Sequence, residues 1–121
     1  MPIKPPIIIR ADDGIHTFKN VIEAESYMEP IDVENGVYSA AYDSTGRILK
    51  ISSKYIEKEK RFLWFRTVGE VESLVLEEID QSDPYRLREL LIDYISRVMK
   101  LPEGSLQDKD LETLINMVPS T

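Results

Sequence analysis

Val37-Tyr38-Ser39-Ala40-Ala41-Tyr42-Asp43-Ser44-Thr45-Gly46-Arg47-Ile48-Leu49-Lys50-Ile51 is the stretch on which the fold turns. Two β-rich runs, Val37 to Tyr42 and Arg47 to Ile51, flank Asp43-Ser44-Thr45-Gly46. Asp, Ser and Thr bond their own backbone and Gly tolerates positive φ, so the four residues read as a hairpin loop. Past the loop the pattern alternates. Leu49, Ile51 and Tyr55 fall on one face and Lys50, Ser52 and Lys54 on the other. That is the signature of a half-buried antiparallel strand.

Toward the C-terminus, the charged run Glu57 to Arg61 reads as the next turn. Phe62-Leu63-Trp64-Phe65 is apolar on both faces, which predicts a central strand over 61–66 with Trp64 buried. Val71, Leu74, Val75 and Ile79 would fit a helix over 70–79, but Ser73-Leu74-Val75-Leu76 and the preceding hairpin favour a strand. The clearest helix runs from Pro84 to about Lys100, with Asp83 as its cap and Pro84 in the favoured first position. Leu87, Leu91, Tyr94, Ile95 and Val98 form its packing face. Pro102 and Gly104 end it, and Ser105 with Asp108 offers a capping box for a last helix carrying Leu106, Leu111, Leu114, Ile115 and Val118.

Toward the N-terminus, Ile7 to Ala11 reads as a strand, Asp12-Asp13-Gly14 as a turn and Ile15 to Phe18 as a second short strand. Asn20 with Glu23 has capping-box logic. Val21, Ala24 and Met28 form the stripe of a helix over 21–28 that Pro30 stops. The elements compose one α+β domain over 1–121. A mostly antiparallel sheet, including 37–42, 47–53 and 61–66, carries a short N-terminal helix and two C-terminal helices packed on one face.

The totals narrow the function classes. The 121 residues suit one domain of ordinary size, and 42% hydrophobic with 31% charged residues describes a folded chain. The formal charge of −7 argues against a dedicated nucleic-acid binder and suits a basic protein partner. The chain has no cysteine, which removes disulfides, thiol nucleophiles and thiolate metal sites. Ile7-Ile8-Ile9 is far short of a signal-peptide core or a membrane span, so the expectation is a cytoplasmic protein without membrane contact.

No constellation for catalysis, metal or cofactor stands out. His16 is the only histidine, and spacing fixes neither a nucleophile nor further ligands beside it. The pairs Asp12-Asp13 and Glu77-Glu78 are neighbours, which in a strand point to opposite faces. The five glycines are scattered, with no phosphate-cradling loop. The expectation is a binder without enzymatic activity or cofactor.

Two charge clusters remain. Lys54, Lys58, Lys60, Arg61 and Arg66 are interleaved with Tyr55, Phe62, Trp64 and Phe65, a composition that can bind single-stranded nucleic acid. The overall charge opposes that use. The second cluster is sharper. From Gly69 to Asp83 there is no Lys or Arg, while Glu70, Glu72, Glu77, Glu78, Asp80 and Asp83 carry negative charge. With Asp83 set aside as a helix cap, Glu70, Glu72, Glu77, Glu78 and Asp80 are the candidate partner-binding residues. A solvated edge that discourages aggregation would use the same residues.

One run carries a resemblance. It comprises Phe18, Val21-Ile22-Glu23-Ala24-Glu25, Tyr27-Met28-Glu29-Pro30, Ile31-Asp32-Val33-Glu34-Asn35-Gly36-Val37-Tyr38, and Tyr42-Asp43-Ser44-Thr45-Gly46-Arg47-Ile48-Leu49. This run resembles immunity proteins of bacterial polymorphic-toxin and contact-dependent growth inhibition systems. The resemblance implies a small cytoplasmic protein that neutralises a cognate toxin domain by tight stoichiometric binding. It carries no catalytic residue over. The alternatives are a generic protein-binding adaptor or regulatory module, and a single-stranded nucleic-acid binder using 54–66. On any of the binding readings, His16→Ala should leave partner affinity unchanged in a folded variant, measured by calorimetric titration.

Overall fold

The computed structural model describes residues 3–29, 32–33, 35–62 and 65–119, and for 53–62 and 65–73 the backbone alone. Five strands and three principal helices follow one another: β1 (Ile7–Ala11), β2 (Gly14–Phe18), α1 (Val21–Tyr27), β3 (Tyr38–Tyr42), β4 (Arg47–Phe62), β5 (Phe65–Ser82), α2 (Pro84–Met99) and α3 (Leu111–Met117). The sheet is antiparallel, in the order β2-β1-β3-β4-β5. The α+β class expected from the sequence is what the chain adopts.

The alternation of β1 explains the layering. Ile7 and Ile9 point to one side of the sheet and Ile8 to the other, and all three are buried. On the Ile8 side, Ile15 and Tyr42 meet Leu87, Leu91 and Ile95 of α2 and Leu114 and Ile115 of α3. On the Ile7 and Ile9 side, Ala41, Leu49, Leu74 and Leu76 meet Ala24 of α1 and Met28, its C-cap. The two C-terminal helices thus share a face as expected, while α1 covers the opposite one. A strand buried on both faces needs a continuous apolar run, which is what three isoleucines supply.

The ribbon β4–β5 departs from the expected boundaries. The charged run Glu57 to Arg61, expected as a turn, continues β4, and its residues pair with Glu70 to Arg66. The apolar run is not one central strand over 61–66. Phe62 ends β4, Phe65 begins β5, and the two pair with each other. Trp64 and its expected burial lie outside the described residues, as does the Pro30 stop.

The physical reason lies in the neighbours. β3 has five residues and bridges β4 at Tyr42 and Ile48, so counting along that register exhausts β3 near Ser52. The ribbon runs roughly 43 Å past Leu49, at ~3.3 Å per residue. Hydrophobic pattern reports burial, not strand geometry. A ribbon that overruns its neighbouring strand need not show an apolar face.

Residues 70–79 are strand, as the hairpin context favours. In α2, Asp83 accepts from the Arg86 amide as its cap, but Val98, expected on the packing face, is 47% exposed and lies outside the observed one, whereas Leu90 lies within it. The last helix begins later than the Ser105 cap implies. Ser105 donates to the Pro102 carbonyl in a turn, and Asp110 caps α3 by accepting from Thr113. Leu106 reaches the core from that turn, not from the helix.

Leu91 is fully buried and Val98 is not. Leu91→Ala should cost about 2–5 kcal/mol of unfolding free energy. Val98→Ala should cost less than about 1 kcal/mol. Urea denaturation of both variants checks the assignment of the α2 face.

Candidate partner-binding edge

Among the described residues β5 is an edge strand, with β4 on one side and no strand on the other. This is where the acidic segment lies. Glu70 and Glu72 stand opposite Glu57 and Tyr55 in the ladder, and their side chains lie outside the description. Glu77 is half-buried and stands opposite Lys50, so the two sit on one face as a cross-strand pair. Glu78 belongs to the other face. Its carboxylate is 2.9 Å from the Arg47 guanidinium. Asp80 is exposed, within the irregular stretch where the register shifts between Arg47 and Leu49.

The five acids therefore share a strand but not a face. Glu70, Glu72 and Glu78 have one parity and Glu77 the other. Leu74 and Leu76, which have the parity of Glu78, are buried under α1.

One contributor was not legible as such in the sequence. Glu25 of α1 reaches the edge, and its Oε2 accepts a 2.7 Å hydrogen bond from the Leu76 amide. The partners are 51 residues apart, and no local spacing announces such a contact. Glu25 appears in the sequence only as one more acid of a short helix.

The base of the ribbon is held by the hairpin loop. Asp43 is 1% exposed. Its Oδ1 accepts from the Thr45 amide at 2.8 Å, the Thr45 hydroxyl at 2.6 Å and the Arg47 amide at 3.0 Å. Its Oδ2 accepts from the Lys4 amide at 3.2 Å. Burial alone would raise the Asp43 pKa. The hydrogen bonds from Thr45, Lys4 and Arg47 outweigh it and hold the carboxyl below the ordinary aspartate value.

Gly46 follows with φ +89°, and a Cβ there would sit 2.4 Å from Pro84 Cα. Its carbonyl accepts from the Asp83 amide at 2.8 Å. Only glycine allows the loop to seat directly on the start of α2.

His16 sits on β2, 7% exposed, with Nε2 2.9 Å from Asp13 Oδ1 and its ring 5.3 Å from that of Tyr27. A carboxylate can only accept, so Nε2 carries the hydrogen. The His16 hydrogen bond holds the Asp13 carboxyl below its ordinary pKa. Among the described residues no cluster of three or more His, Asp or Glu is placed to hold a metal. No described helix is long and apolar enough to cross a membrane.

Comparison with protein-family models, curated proteins and solved structures finds no match to this chain.

Asp43 supplies a test by pH. Its folded pKa is depressed, so its contribution is full above the unfolded aspartate value of about 3.9 and is lost as pH falls through the lower folded value. Asp43→Ala should cost about 1.5–3 kcal/mol at neutral pH, since hydrogen bonds to a charged group are lost and donors are left buried. The cost should shrink below about pH 4 as the wild-type carboxyl protonates. Thermal melts of both proteins from neutral to acidic pH read the difference.

Proposed function

We propose that this protein is a binder that neutralises a cognate bacterial toxin domain by stoichiometric inhibition. The observation that carries the reading is the position of the acidic segment. The fifteen-residue stretch Gly69 to Asp83, without a single Lys or Arg, forms most of an edge strand. Carboxylates on an edge meet a partner without any rearrangement of the core. A basic partner relieves their mutual repulsion and is steered toward them. Toxins that act on nucleic acid have basic active sites because they hold phosphates, and a row of carboxylates can stand in for the substrate's charge.

The resemblance of the run from Phe18 to Leu49 supports the same reading. That run builds α1, β3, the Asp43 loop and the start of β4, which together set the edge in place.

Co-expression with the protein encoded next to this chain's gene, followed by co-purification and an activity titration, tests the function. Full inhibition at one equivalent is the expected result, and undiminished toxin activity in excess inhibitor overturns it. The contribution of the edge is read separately. Glu77→Lys, Glu78→Lys and Asp80→Lys, each confirmed as folded by thermal melts, should slow association by about tenfold and flatten its salt dependence. If affinity and salt dependence stay unchanged in all three, the acids only solvate the edge.

A further inference from the structure

We infer that the cavity between the β1–β2 turn and α2 is a binding site for a small zwitterion, a free α-amino acid with an apolar side chain. The site is independent of the neutralisation reading and lies at the β2–β1 end of the sheet, away from β5.

The cavity measures about 390 Å³, and Arg10, Asp12, Ile15, Leu90, Tyr94 and Val98 line it. Cavities of roughly 300–1,000 Å³ take small molecules, so this one suits a ligand near the lower end. Ile15 and Leu90 supply a buried apolar wall. Val98, about two turns along α2 from Leu90, is 47% exposed and leaves apolar surface open to a ligand.

Three polar groups of the lining have no partner among the described residues. The neighbouring charges are already matched, Arg97 with Asp93 at 3.1 Å and Asp13 with His16 at 2.9 Å. Arg10 and Asp12 take part in no ion pair, and the Tyr94 hydroxyl in no hydrogen bond, among those residues. Tyr94 is set in the lining by Gly14. A Cβ at Gly14 would stand 2.5 Å from Tyr94 Cε1, so only glycine, here at φ +138°, lets the turn close on the ring. A lining fixed in this way needs little ordering when a ligand enters.

The charges select the ligand. The lining carries two arginines and three aspartates, Asp13, Asp93 and Arg97 included. That balance repels a simple anion, and a simple cation leaves Arg10 unmatched. A molecule bearing both charges answers both residues. Arg10 and Asp12 are two positions apart, which at the rise of a strand sets their Cα atoms about 7 Å from each other. The ammonium and carboxylate of an α-amino acid share one carbon, so Asp12 can accept from the first while Arg10 donates to the second, in charge-assisted hydrogen bonds of about 2.8 Å. The Tyr94 hydroxyl donates to the same carboxylate, and the apolar side chain covers Val98. The terminus of a peptide brings only one of the two charges.

The probe is L-leucine, titrated into the full chain labelled with nitrogen-15 and followed by two-dimensional NMR. N-acetyl-L-leucine, which lacks the cation, and L-leucinamide, which lacks the anion, are the controls. The amides of Asp12, Gly14, Tyr94 and Val98 should shift together and saturate with a Kd of about 1 mM or below. Each blocked form should bind at least about tenfold more weakly. Arg10 and Asp12 are exposed, so Arg10→Gln and Asp12→Asn should keep the thermal melt of the parent while losing about tenfold in leucine affinity.

Shifts that do not saturate by about 20 mM, or that fall on other residues, would overturn the site. Equal binding of either blocked form would overturn the zwitterion. Parental leucine affinity in Arg10→Gln or Asp12→Asn would overturn the roles given to those side chains. Shifts at the same amides that grow with protein concentration in the absence of leucine would give the cavity to a second copy and overturn the small ligand. Should either variant unfold, the comparison of leucine with its blocked forms on the unaltered chain decides the matter alone.

Discussion

The carboxylate of Asp43 organises the loop through which three parts of the chain are joined. It accepts the amides of Thr45 and Arg47 within its own loop and that of Lys4 from the segment preceding β1. Two residues further, the Gly46 carbonyl takes the Asp83 amide at the start of α2. One turn thus sets the first strand, the β3–β4 hairpin and the main helix against each other. A buried charge is tolerated when its lone pairs are filled, and here four donors fill them. The register of β4 begins at this loop, and through β4 so does the position of the acidic edge on β5.

Much of the fold was legible because local chemistry and burial agree there. Asn20, Asp83 and the Asp43 loop announce themselves through short polar side chains that bond nearby amides, and each does so in the structure. The leucines of α2 repeat at helical spacing because one face is covered. The ribbon was misread where burial and strand geometry part company. Glu57 to Arg61 lies on a strand past the end of β3, so its charge signals the lack of a covering strand rather than a turn. Phe62 and Phe65, read as parts of one central strand, belong to two strands and pair with each other in the ladder.

The candidate site was half visible for a similar reason. Charge composition locates a segment, so Glu70 to Asp80 could be singled out from the sequence alone. Composition says nothing about parity, and the ladder divides Glu77 from Glu78 between two faces. Nor could it supply Glu25, whose contact depends on α1 crossing the sheet to meet a strand 51 residues later. Val98 shows the same limit in the core. Helical spacing nominates it, and the reach of the opposing layer leaves it half exposed.

The three isoleucines of β1 carry a consequence for synthesis. They are synthesised before most of the residues that shelter them. Leu74 and Leu76 help close one side, and Leu87, Leu91, Ile95 and Leu114 the other. Contacts of such long sequence separation form slowly. Until α2 is complete, the nascent chain presents a sticky strand whose Ile8 side is open, and a stalled or clipped fragment would aggregate through it. The acidic stretch of β5 emerges just before α2. It places a dense block of like charge next to the unfinished core at the stage when self-association is most damaging.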